Sequence, residues 1–135
     1  MVKTTSSDEN CASDPEGKLT IRTLAMPADT NPAGDIFGGW VMSQLDIAGA
    51  IAASERVRGR TATVAVEAMT FIAPVKVGDV LCVYCQVKHI GTTSISISVE
   101  AWVRRQRFHD RAKVTEATFV YVSLDDNGKK HPIPK

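Results

Sequence analysis

Asp46 is the only charged residue between Asp35 and Glu55, and it stands inside the apolar run from Trp40 to Ala53. A carboxylate in a helix interior competes for backbone hydrogen bonds, and burial strips its solvation. A group kept there needs partners or a task. Its neighbours at i−4, i+3 and i+4 are Met42, Gly49 and Ala50. Two of these are small, which leaves room beside the carboxylate for another chain or a ligand. Two readings fit: a general base or nucleophile aimed at a substrate carbonyl, or a structural carboxylate bonded to backbone across an interface.

Upstream, the segment from Asn31 to Trp40 (Asn-Pro-Ala-Gly-Asp-Ile-Phe-Gly-Gly-Trp) carries a second set of reactive groups. Asn31 precedes Pro32, which biases it towards an extended conformation. Gly38 and Gly39 remove side chains where a helix begins, and free backbone N–H groups there can polarise a carbonyl or hold an anion. The same glycines also suit a tight turn and close helix–sheet packing.

Other chemistries find less support. Cys82 and Cys85 lie three apart in a strand-like run, so their thiols point to opposite faces and do not share a metal. His89, His109 and His131 are scattered, and no site for a metal is expected. No serine stands in a Gly-x-Ser-x-Gly elbow, and Ser43 has no histidine near it in sequence. Phosphate loops and dinucleotide glycine patterns are missing too. Basic residues cluster at Arg56/Arg58/Arg60, Lys88/His89 and Arg104/Arg105/Arg107, which reads mostly as solvated edges. The turn from Lys88 to Ser94 joins a cation, Gly91 and the hydroxyls of Thr92, Thr93 and Ser94, a set that could contact a phosphate.

These groups need a scaffold, and the hydrophobic period supplies one. Lys18 to Leu24 alternates as a strand, and Ala25 to Phe37 is a long turn-rich loop of the kind that often carries function. Gly38-Gly39 opens a helix whose buried stripe is Val41, Leu45, Ala48 and Ala52; it ends between Ser54 and Arg58, with Gly59 as the stop. The period then changes to two, over Thr61–Ile72, Val80–Ile90, Thr92–Arg104 and Lys113–Leu124. An apolar helix followed by antiparallel strands buries its stripe in a sheet wrapped around it, an α+β arrangement.

The bulk numbers set outer bounds. With 135 residues, 44% hydrophobic and 23% charged, the chain is one domain with a sizeable core. Lys+Arg 16 against Asp+Glu 15 gives no basic excess to attract nucleic acid. Met1 to Gly17 lacks an apolar signal core and reads as a disordered leader, so the expected domain is 18–135. The helix is too short and polar to span a membrane, and three cysteines give no disulfide framework, which suits a reducing cytoplasm.

Three stretches together, Leu24 to Asn31, Gly34 to Trp40 and Met42 to Asp46, closely resemble the hotdog-fold acyl-CoA thioesterases, in particular the YciA-like branch. Thr63 to Phe71, Pro74 to Asp79 and Gly91 to Ser94 match as well, so the resemblance runs from Lys18 to Pro134. It implies a hotdog fold, a long central helix wrapped by a five- to six-stranded antiparallel sheet. It also implies sheets joined edge to edge in a dimer, and dimers assembled into hexamers. Asp46 matches the catalytic carboxylate and Asn31 an asparagine that faces it from the other hotdog unit, so the site is expected at a dimer interface. The activity implied is hydrolysis of acyl-CoA to free fatty acid and CoA over a broad chain-length range, with Asp46 as general base or nucleophile and the Gly39 N–H polarising the carbonyl. No cofactor is implied, because CoA belongs to substrate and product.

Gly38, Arg60, Lys88 and the turn Gly91–Ser94 are the candidates for CoA binding, with Met42, Val66 and Phe71 lining the acyl chain. Two alternatives stand beside this reading. A hotdog hydratase or dehydratase would lean on a histidine near the helix start, and that region holds none. A non-enzymatic acyl-CoA sensor would have no use for Asp46.

Overall fold

The computed structural model describes residues 14–105 and 110–135 of the chain. Strand β1 (Lys18–Leu24) leads through a short 3-10 turn (Pro27–Asp29) and a loop to helix α1 (Gly38–Val57). Strands β2 (Arg60–Phe71), β3 (Val80–Ile90), β4 (Ser94–Arg105) and β5 (Asp110–Leu124) follow. They form one antiparallel sheet in the order β1-β3-β4-β5-β2, so β1 and β2 are its edges. The fold is the hotdog arrangement expected, with five strands in the described sheet.

The period-two pattern explains why the sheet has one dry face. In β4, Ile95, Ile97, Val99, Ala101 and Val103 are fully buried towards the helix, while Ser94, Ser96 and Ser98 alternate with them on the outer face. Burial of each large aliphatic side chain contributes about 1.5–3 kcal/mol. Val41, Leu45, Ala48, Ala53 and Val57 complete the core from the helix. Ala52 is only half-buried, because a straight helix drifts round its axis and Ala53 takes over the inner face. Cys85 belongs to the core, whereas Cys82 is buried outside it, as the strand period requires.

Gly59 is not the residue that turns the helix off. The left-handed position falls on Arg58 (φ 60°, ψ 41°), whose N–H bonds to the Ser54 carbonyl at 2.8 Å. A side chain there strains the backbone. The expected leader falls on undescribed residues except for 14–17. Of those four, Asp14 pairs with Arg111 at 2.6 Å and Gly17 lies against the Cys85 carbonyl.

A second tie anchors the loop before β3. Asp79 is buried, accepts from Arg105 Nε at 3.0 and 3.2 Å, and accepts from the Lys76 N–H at 2.8 Å. The loop residue Val75 in turn accepts from Ile36 N at 3.1 Å, so this anchor reaches the helix approach. Two stability outcomes follow, each read as a denaturant midpoint at fixed protein concentration. Asp79→Ala leaves those donors unsatisfied and lowers stability by about 2 kcal/mol. Arg58→Gly relieves the left-handed strain and, net of glycine's backbone entropy, raises stability by about 0.5–1 kcal/mol.

Candidate active site

Strand register places two hydroxyls opposite the helix carboxylate. Thr63 on β2 pairs with Tyr121 on β5 across the ladder, and both side chains meet Asp46. Thr63 Oγ1 donates to Asp46 Oδ1 at 2.7 Å. The Tyr121 hydroxyl lies 3.1 Å from the same oxygen and 2.9 Å from the Asp46 main-chain carbonyl, so its single proton is shared between them. Asp46 Oδ2 has no donor among the described residues, and the residue is half-buried. One oxygen of the carboxylate is therefore tied to the fold and the other is left as an acceptor. Burial, reinforced by the adjacent Asp46 charge, pushes the Tyr121 phenol above its usual range, so it remains a donor at working pH.

Part of the space beside the carboxylate is taken within the chain itself. Gly49 leaves a gap, and within the chain Tyr121 fills it. Thr63 and Tyr121 went unrecognised in the sequence because both read as ordinary strand residues. Only the 63–121 register joins them. The inward row Thr115, Ala117, Phe119, Tyr121 and Ser123 mixes apolar and polar residues, so the phenol does not stand out in it.

The Asn31 loop is built separately. Asn31 Oδ1 accepts from the N–H groups of Ala33 (2.9 Å) and Asp35 (3.1 Å), and its main chain bonds Asp35 O and Gly34 N. This closes a compact turn and leaves the Asn31 amide hydrogens without an acceptor among the described residues. Phe37 N bonds Asp29 O at 3.0 Å, which fastens the turn to the helix start. Helix α1 begins after Phe37 with no side-chain cap, and Gly38 and Gly39 are exposed with no acceptor for their N–H groups among the described residues. That junction offers uncommitted donors at the positive end of the helix dipole. Within one chain, Asn31 and Asp46 keep separate sets of partners.

The remaining candidates scatter. Val66, Phe71 and Met42 are exposed, and Phe71 lies over Gly38. Arg60 is engaged with the carbonyls of Asp125 and Asp126 at 3.3 and 3.2 Å, beside a cleft of about 340 Å³ that Arg58 and His131 share. Gly91, Thr92, Thr93 and Ser94 form a turn docked on the C-terminal segment, through Ile133 N to Thr92 O, and on the end of β5, through Ser123 N to Thr93 O, both 2.8 Å. Lys88 stands apart on the outer face, in a polar cleft with Glu16, Glu100, Lys113 and Glu116. Within one chain Lys88 and Arg60 line different clefts. Among the described residues there is no group of three or more potential metal ligands, and no helix long and apolar enough to cross a membrane.

Residues 33–108 match the thioesterase superfamily. The chain is 57% identical over 123 residues to the acyl-CoA thioester hydrolase YciA of Salmonella typhimurium, covering 89% of this chain and 92% of that protein. Among solved structures it is similar to the hexameric thioesterase y2039 of Yersinia pestis, with a TM-score of 0.86 and 54% identity over 90% of this chain and 98% of that one. It is also similar to HI0827, a hexameric broad-specificity acyl-coenzyme A thioesterase, with a TM-score of 0.85 and 51% identity over 91% and 85% of the two chains. By fold and by sequence, this chain belongs to the thioesterase superfamily, in the YciA branch of its hotdog acyl-CoA thioester hydrolases.

Proposed function

We propose that this protein hydrolyses acyl-CoA thioesters to the free acid and CoA, at a site shared by two subunits. The observation that carries the reading is the half-satisfied Asp46 carboxylate, with Oδ1 held by two hydroxyls and Oδ2 open. Oδ2 takes a proton from water, and the hydroxide attacks the thioester carbonyl. The tetrahedral intermediate expels the CoA thiolate, which receives the proton back from Asp46. The uncapped Gly39 N–H stabilises the oxyanion, and the Asn31 amide orients the water. Asn31 and Gly39 sit on one tied junction, so we assign both to one subunit and Asp46 to its partner. Asp46 lies seven positions beyond Gly39 on one helix, about 10 Å of rise. Direct attack by Oδ2 is the second route, and the same open oxygen favours it.

Edge strand β2 supports the shared site. It is 12 residues long, mostly exposed, and presents Val64, Val66 and Phe71, with Ile47 and Ile51 exposed on the helix. A long apolar edge is an invitation to strand pairing, and a two-fold axis there would join two sheets in an isologous interface. Thr63 lies on this strand, so the seam runs past Asp46. The hexameric state of the related thioesterases extends to this chain as a trimer of such dimers, and their broad specificity as its expected substrate range. Solved relatives include variants in which an aspartate or an asparagine is replaced by alanine.

Thiol release from acyl-CoAs of several chain lengths tests the reading directly. Asp46→Ala lowers kcat by about a thousandfold while the protein stays folded; a fully active variant would remove the assignment. A single turnover in oxygen-18 water distinguishes the routes, since label in the Asp46 side chain signals direct attack. Asn31→Asp keeps the turn acceptor and loses the donor, so kcat falls with stability unchanged. Mixing Asn31→Asp and Asp46→Ala subunits at random restores about a quarter of wild-type activity if the sites are shared. A site contained in one chain restores none.

A further inference from the structure

Tyr121 is fully buried, yet it carries a hydroxyl where a phenylalanine ring would fill the same core volume at lower desolvation cost. The helix accommodates that hydroxyl at its own expense. A Cβ built on Gly49 would overlap the phenol oxygen and sit 3.0 Å from Cζ, so only glycine admits the ring tip at this turn. Glycine is an unfavourable residue in the interior of a 20-residue helix. Two unfavourable choices on different elements thus converge on one contact, the phenol with Asp46.

The contact has a double grip. Bonding to the Asp46 carbonyl fixes the height and rotation of the helix on the sheet, and bonding to Oδ1 fixes the side chain. Thr63 supplies a second donor to Oδ1, so that oxygen's lone pairs are engaged from both sides. An incoming proton then goes to Oδ2 alone.

Resting on the thioesterase reading, we propose that Tyr121, admitted by Gly49, is a positioning residue that orients Asp46 so that Oδ2 serves as its reactive oxygen. It touches neither substrate nor water, and acts only through Asp46.

The test is a double-mutant cycle on the full-length protein, with acyl-CoA hydrolysis read as separate kcat and KM. Tyr121→Phe keeps the ring and removes the donor. It lowers kcat by about ten- to a hundredfold and moves KM by less than about twofold, as expected for one hydrogen bond to a charged group. In the Asp46→Ala background the same change leaves the residual rate within about twofold, because its only route to the chemistry is gone. Gly49→Ala displaces the phenol and reproduces the kcat loss; if it does not fold, the tyrosine cycle stands without it. Wild-type kcat in folded Tyr121→Phe overturns the proposal, as does an equal loss in both backgrounds, which would mark a purely structural role. A wild-type protein without acyl-CoA turnover removes the thioesterase reading itself, and this inference with it. Turnover that depends on Asp46 but not on Tyr121 removes only the inference.

Discussion

A negative charge held between an apolar helix and the dry face of a sheet can persist only where the sheet brings donors to it, and the geometry around Asp46 follows from that requirement. The helix cannot rotate or slide without detaching Asp46 from Thr63 and Tyr121, so the carboxylate fixes how α1 lies on the sheet. The ladder must hold β2 and β5 in the register that places residues 63 and 121 side by side. The helix must carry glycine where the phenol arrives.

One of the donors to Asp46, Thr63, lies on an edge strand, so the carboxylate stands near the rim of the sheet. A carboxylate deep in the sheet would be sealed, whereas β2 is an outer strand with its apolar side chains uncovered. The loop from Asn31 to Phe37, by contrast, is made rigid by its own backbone bonds and needs nothing from Asp46. Two rigid halves, one built on a turn and one on a helix–sheet contact, suit assembly across a two-fold axis.

Much of the molecule is legible in the residues. The strand from Lys18 to Leu24 and the shift from period 3.6 to period two fall where the pattern puts them, because alternating burial leaves little freedom of register. Asp46 announces itself by being charged in an apolar run, and Gly38-Gly39 by opening the helix. Other features stay hidden. Whether Ala52 or Ala53 faces inward depends on a slow angular drift, and the left-handed turn falls on Arg58 despite the glycine next to it. Arg60 and Lys88 are both candidates for CoA binding, yet within one chain they line different clefts.

Sequence by itself determined the elements, the helix carboxylate and the loop asparagine, since each depends on local periodicity, turn chemistry or a single misplaced charge. Tertiary structure alone decided what satisfies that charge. Thr63 and Tyr121 are 58 positions apart, and no local pattern ties either to residue 46. Strand pairing makes them neighbours, and the gap at Gly49 lets the phenol reach the helix. A hydrogen bond demands a distance of about 3 Å, and distances of that kind between remote residues exist only once the chain has folded.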